Sequence, residues 1–397
     1  MPGGGLRLGL AALLLLLGGA GSAHAAPAVV VGAGPESYAL DLHYEPETLR
    51  GSERIEFVNR GDTPLDRVWL RLWANGPDRC RPSRIDVRLA SPAEPGHERC
   101  SALEVRLGAP VRPGASGAVS LDFTVRVRKQ NDRFGRAWKT ALLGNVVPVL
   151  AVEDDRGLHL PPYTARSESF YSLSARWEAT LRLPARLRAA TTGAVVSERV
   201  RRGTRTLRVA TPQARDFALA IGPLRVTTTR VDGVRIRAFT ERRPQVLPAR
   251  LIRAALGDAR RTVATLGRSL APYGSTELDL VLAPVSFAGM EYPEVVFALP
   301  LPEVIAHEVA HQWWYGLVGN DQYDDPWLDE SFATYWEQRL DPGSGECDPD
   351  RPYSVVAPQR RQIPLDASMA VFDRAAPSAI GEIVYGAGSC ALQRLER

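Results

Sequence analysis

A chain of 397 residues, 45% hydrophobic and 24% charged, has material for two or three folded units and is too apolar to be disordered. Its net charge of +4 comes from scattered arginines with only two lysines, Lys129 and Lys139, which argues against nucleic acid as a partner. No stretch reaches the roughly eighteen apolar residues of a membrane-spanning helix.

The first residues, MPGGGLRLGLAALLLLLGGAGSAHAAP, read as a secretory leader. Arg7 is the basic start, Leu8 to Leu17 the apolar stretch, and Ala23-His24-Ala25 the small-x-small cleavage site. The expectation is a leader over 1–25, a mature chain from Ala26, secreted or periplasmic, with no stable membrane insertion after cleavage. Four cysteines suit an oxidising compartment and allow three pairings. Cys80 with Cys100 and Cys347 with Cys390 would keep each bridge inside one domain.

Residues 26–236 read as a β domain. Tyr38, Leu40, Leu42 and Tyr44 alternate with other residues, and so do Val68, Leu70 and Leu72. Val119, Leu121, Phe123, Val125 and Val127 continue the pattern, then Trp177, Ala179, Leu181 and Leu183. Period two over this length predicts antiparallel sheet buried on one face, in a sandwich or saddle. Val231-Asp232-Gly233-Val234 predicts a hairpin.

Residues 237–397 read as a second, α/β domain. Leu251, Ile252, Ala255, Leu256, Ala259, Val263 and Leu266 recur at helical spacing, with arginines off the stripe, which predicts a helix packed on a sheet. Leu278, Leu280 and Leu282 mark a strand. Pro302 and Glu303 start a helix expected to run to about Tyr315, and Asp325-Pro326 start another, WLDESFATYWEQRL. Residues 341–380 look loop-like. The overall class is a multidomain α+β chain.

The chemistry is concentrated at His307-Glu308-Val309-Ala310-His311, with eighteen residues separating His311 from Glu330. Histidines four apart share one helix face, and Glu308 stands beside them. Two imidazoles and the Glu330 carboxylate with one open position form the ligand set of a catalytic zinc ion. His24, His43, His97 and His159 show no such grouping and read as incidental. Phe287-Ala288-Gly289-Met290-Glu291-Tyr292-Pro293 follows a strand. Its glycine permits close backbone approach, and Glu291 offers an anion for a free ammonium on a chain added as an extra strand. Tyr385, in IVYGAGSCAL, is a candidate donor to a developing oxyanion.

HEVAHQWW, the gap to Glu330 in WLDESFATYWE, and AGMEYP together resemble the aminopeptidase N family of gluzincin metallopeptidases. IVYGAGSCAL, YALDLHYEPETLRGSERIEFVNRG and ARDFALAIG extend the likeness over roughly residues 37–397. The resemblance implies an N-terminal β domain and a thermolysin-like catalytic domain with one Zn2+ per chain. His307, His311 and Glu330 would bind zinc, and Glu308 would be general base and then acid. Glu291 would hold the α-amine, with Glu168 in SES as a looser second candidate. Ala288, Gly289 and Met290 would line the peptide, and Tyr385 would stabilise the tetrahedral intermediate. Substrates would be peptides with a free amino terminus; nothing in the sequence fixes an oligomeric state. The chain departs from the family at AGMEY, where GAMEN is common, and at Gly386-Ala387-Gly388 after the tyrosine. It stops twelve residues beyond Tyr385, so the expected catalytic domain is incomplete at its C-terminus. The alternatives are a metallo-endopeptidase and a catalytically impaired zinc- or peptide-binding protein.

Overall fold

The computed structural model describes residues 36–78, 84–129, 133–164, 167–242, 247–341, 347–375 and 378–397. The leader and Cys80 lie outside them. Where apolar side chains alternate, strands form with one face buried. In Ser37–Glu45 the side chains of Tyr38, Leu40, Leu42 and Tyr44 are buried, whereas Ala39, Asp41 and His43 are exposed. Ser116–Arg126 and Ala175–Pro184 repeat the pattern.

These strands join a seven-stranded sheet in the order Ala194–Arg201, Thr204–Ala214, Ala175–Pro184, Ser37–Glu45, Thr48–Val58, Ser116–Arg126, Ile85–Leu89. Neighbours are antiparallel except Ser37–Glu45 beside Ala175–Pro184, a parallel pair that the antiparallel expectation did not contain. The two strands are far apart in sequence, so no tight turn dictates their direction. Two four-stranded antiparallel sheets and the two-stranded pair Glu153–Asp154 with Gly157–Leu158 accompany it in the β region. Tyr38 stacks on Trp177 at 3.9 Å between ring centres, and Trp177 lies against Phe217.

A five-stranded mixed sheet follows, in the order Leu224–Val231, Val234–Glu241, Glu277–Leu282, Val295–Ala298, Gly289–Met290. The predicted hairpin makes its first two strands, with Asp232 and Gly233 both at positive φ (47° and 84°), as a two-residue hairpin turn demands. An expected boundary at 236/237 falls inside Val234–Glu241. The hairpin strand Leu224–Val231 before it pairs into the same sheet.

Glu277–Leu282 and Val295–Ala298 are buried on both faces, as strands covered on both sides are. Leu278, Leu280, Leu282, Val296 and Ala298 face a helical core, while Val281, Val295 and Phe297 face the core of the β region. The helical core is built on α1 (Ala249–Ser269), whose Ala255, Leu256, Ala259, Val263 and Leu266 pack towards the sheet while its arginines at 250, 253, 260, 261 and 268 stay exposed.

Two helices carrying His307, His311 and Glu330 or their neighbours come next, α2 (Pro302–Ala310) and α3 (Trp327–Leu340). The first is shorter than expected. His311 caps it and keeps helical angles, φ −59° and ψ −14°, so it still sits above His307. Beyond it the chain tightens, Gln312 N bonding Val309 O and Trp313 N bonding Ala310 O, until Tyr315 adopts φ 140°. The buried Tyr315 hydroxyl is held by Asp216 from the β region, a tertiary tie that overrides the helical pattern. The stretch 341–380, expected as loop, contains α4 (Met369–Ala375). A wide π-helical segment, Gly381–Ala387, carries Tyr385 and runs into α5 (Gly388–Glu396). Cys347 and Cys390 form the expected bridge.

Candidate metal centre and substrate cleft

Helices α2 and α3 pack against each other and bring the three predicted ligands together. His307 Nε2 lies 3.1 Å from Glu330 Oε2 and 3.1 Å from His311 Nε2, and His311 Nε2 is 3.3 Å from the same carboxylate oxygen. Zinc–nitrogen bonds of about 2.0–2.1 Å in tetrahedral geometry put neighbouring ligand atoms about 3.3 Å apart. The three atoms thus form one face of such a tetrahedron.

The outer hydrogen bonds select the tautomers. His311 Nδ1 is 3.0 Å from the Trp314 carbonyl, which only accepts, so Nδ1 carries the proton. His307 Nδ1 is 3.2 Å from Glu337 Oε2, an acceptor when ionised. Each neutral ring then directs its Nε2 lone pair at the shared point. Metal-bound histidines take outer partners of this kind. The residues present therefore fit a zinc ion.

Charge gives the same answer. Glu168, Glu291, Glu308, Asp329 and Glu330 are all buried around this point. Burial and then Glu291 push the Glu168 carboxyl up to about 8. Burial, with Glu291 and Glu330 adding to it, takes Glu308 to about 8, and burial and then Glu330 take Asp329 to about 7. Burial lowers His311, yet the Glu330 carboxylate outweighs it and holds the imidazole at about 10. A cavity that draws protons onto its own side chains in this way is one that favours a cation.

The cleft beside the triad is shaped by the edge strand Gly289–Met290, which pairs antiparallel with Val295–Ala298. Ala288 sits at φ 63°. A Cβ built on Gly289 would fall 2.1 Å from Glu308 Oε1, so this position admits no side chain without moving Glu308. Glu308 Oε2 is buried with no hydrogen-bond partner. Met290 and Glu291 are also buried. Glu291 Oε1 accepts from Gln322 Nε2 at 2.9 Å, and Gln312 Nε2 reaches the carbonyls of Glu291 and Tyr292 at 3.3 and 3.2 Å. Glu168 Oε1 accepts from Arg133 Nη1 at 3.0 Å, and Arg133 also touches Met290 Sδ at 3.3 Å.

Tyr385 lies nearly parallel to His307, ring centres 5.8 Å apart at 17°. Burial and then the Glu330 carboxylate raise its phenol well above its ordinary value, so it keeps its proton. Ser331 Oγ donates to Val384 O at 2.6 Å and fixes this segment to α3. Helix α5 is clamped to α3 by Arg339–Glu396 and Gln393–Gln338.

The structure thus gathers His307, Glu308, His311, Glu330, Glu291, Ala288, Gly289, Met290, Tyr385 and Glu168 in one region. Sequence reasoning passed over Glu337, Gln322, Gln312, Asp329 and Arg133. Glu337 did carry a signal, since it stands seven residues after Glu330, two turns on along the same face of α3. The others depend on tertiary approach.

Residues 272–368 match the family described as the Peptidase family M1 domain. Leucine aminopeptidase 2 of Coccidioides immitis is 37% identical over 94 residues, 21% of this chain and 15% of that protein. Leukotriene A-4 hydrolase of Xenopus laevis is 39% identical over 80 residues, 18% of this chain and 13% of that protein. The matched segment thus spans a small part of either relative's length. A solved M1 zinc metallopeptidase from Deinococcus radiodurans superposes with TM-score 0.57 at 22% identity, covering 83% of this chain and 75% of that one. A variant of that enzyme was solved with a Tyr-Ser-Ala substrate, at TM-score 0.55 and 22% identity, covering 83% of this chain and 75% of that one. At these identities the likeness establishes a shared two-domain fold.

Proposed function

We propose that the chain is an M1-type zinc metallopeptidase, as the match of residues 272–368 to the Peptidase family M1 domain supports, and that it is an exported aminopeptidase, removing residues from the free amino end of peptides. The observation that carries this reading is the pairing of the ligand triad with two further buried carboxylates, Glu291 and Glu168, beside an open strand edge. A peptide laid along Gly289–Met290 gains main-chain hydrogen bonds, and its ammonium meets those carboxylates. An amino end stopped there leaves only the first peptide bond over the triad.

Bound zinc would acidify a water molecule and polarise the scissile carbonyl. Glu308, with an oxygen that no protein group satisfies, takes the water proton and later returns it to the leaving amine. Tyr385 donates to the carbonyl oxygen as charge builds there. Glu337 and the Trp314 carbonyl keep both imidazoles aimed.

Export rests on the leader-like residues 1–25, and a mature product starting at Ala26 on amino-terminal sequencing is the expected result. The activity is tested with an amino-acid anilide and a peptide offered in free-amine and N-acetylated forms, with and without chelator. Chelator-sensitive release from the free-amine form alone supports the reading. Equal cleavage of both forms would show an endopeptidase, and no metal-dependent turnover would show a binding protein.

A further inference from the structure

His159 has no metal-like spacing in the sequence, yet in the structure it is not incidental. It lies among four aspartates drawn from two distant segments. Asp154 sits on the two-residue strand Glu153–Asp154, paired with Gly157–Leu158. Asp321, Asp324 and Asp325 belong to the loop between α2 and α3, just ahead of Asp329 and Glu330. Ligand atoms of His159, Asp321 and Asp324 all lie within 4.8 Å of one another.

Hydrogen bonding determines which atoms are free. His159 Nε2 is 2.8 Å from Asp154 Oδ1, which also accepts from the Arg156 amide at 2.9 Å, and Asp154 Oδ2 accepts from the Tyr171 hydroxyl at 3.3 Å. With Nε2–H donating, the neutral ring carries its lone pair at Nδ1. That atom is 3.0 Å from Asp321 Oδ2. Asp321 is 3% exposed, and its Oδ2 accepts no hydrogen bond. Its Oδ1 is occupied by the amides of Tyr323 and Asp324 at 3.0 and 3.2 Å. Two electron-pair donors therefore face each other, the pattern that also marks His307, His311 and Glu330. Arg156 forms long ion pairs with the cluster but donates no hydrogen bond to Asp321 Oδ2. Its guanidinium approaches Asp154, Asp321, Asp324 and Asp325 only at 3.7–3.8 Å, beyond hydrogen-bond reach.

We propose that His159, Asp321 and Asp324 bind a second divalent cation, distinct from the one held by His307, His311 and Glu330. One imidazole and two carboxylates suit zinc or manganese, with water completing the shell on the side where Asp324 meets solvent. Asp154 behind His159 is the outer carboxylate such an imidazole takes. The cation joins the β-region hairpin to the loop that feeds α3, and so supports the stretch bearing Asp329 and Glu330. The two sites share no residue, so this site stands whether or not the peptidase reading does.

The test is equilibrium dialysis of the metal-free full chain against Zn2+ alone, counting bound metal. The wild type should take up two equivalents. Asp321→Asn should take up one, and so should Asp324→Asn, whose position is 40% exposed at the side chain and tolerates the change without unfolding. His311→Ala should also keep one, which is lost when Asp324→Asn is added. Failure of the proposed catalytic centre would appear as absence of the His311-dependent equivalent with the Asp324-dependent one intact. A single wild-type equivalent that vanishes in His311→Ala overturns the proposal. An unchanged count in both aspartate variants overturns it too.

Discussion

Replacing Gly289 by alanine adds one methyl group, and its cost is readable from the structure. The new Cβ would stand 2.1 Å from Glu308 Oε1, 2.3 Å from Cδ and 2.4 Å from Cγ. Ordinary contact begins near 3.4 Å, so the carboxylate must retreat by about 1.3 Å, from 3.4 less 2.1. The backbone there needs no glycine, since its φ is not positive, and the whole effect falls on Glu308. A misplacement of about 1 Å at a reacting group costs about 100-fold in rate, or about 2.7 kcal/mol. Overpacking costs about 1–3 kcal/mol of stability. Gly289→Ala should therefore fold and keep its zinc, while kcat on an amino-acid anilide falls about 100-fold. Metal analysis and steady-state kinetics on the same sample check this. A kcat within threefold of wild type, with zinc retained, refutes the placement of Glu308 against the edge strand.

Glu308→Gln should retain zinc and lose about 100- to 10,000-fold in turnover, measured beside metal content. Glu337→Gln removes the ionised acceptor behind His307 and should weaken zinc about 10- to 100-fold in competition with a chelator, leaving Glu308 in place. Tyr385→Phe should lower kcat by about 100-fold with KM little changed; a KM effect alone would assign the phenol to binding. The Cys347–Cys390 bridge closes a separation of 43 residues, so replacing both by serine should cost up to about 4 kcal/mol in denaturant unfolding.

Much of this molecule is written in short-range pattern. Tyr38, Leu40 and Leu42 alternate because one face of their strand is buried, and the spacing of His307, His311 and Glu330 needs only helix geometry to become a site. The end of α2 was not readable, because Asp216, almost a hundred residues earlier, holds the Tyr315 hydroxyl and stops the helical pattern. Glu168 and Arg133 escaped clear assignment for a similar reason: their roles arise where a β-region loop meets Met290, and no local period records that meeting. His159 looked solitary because its companions are some 160 residues away, at Asp321 and Asp324.

The five-stranded sheet is a party wall between two interiors. Val295 and Val296 are neighbours in the chain, yet one belongs to the β-region interior and the other to the helical one. A chain cut before Leu224 would leave Val281, Met290, Tyr292, Val295 and Phe297 bare on a single flank, with Glu291 among them. The first half of the protein is thus the missing wall of the second, and neither could be inherited, swapped or trimmed without rebuilding the other's interior.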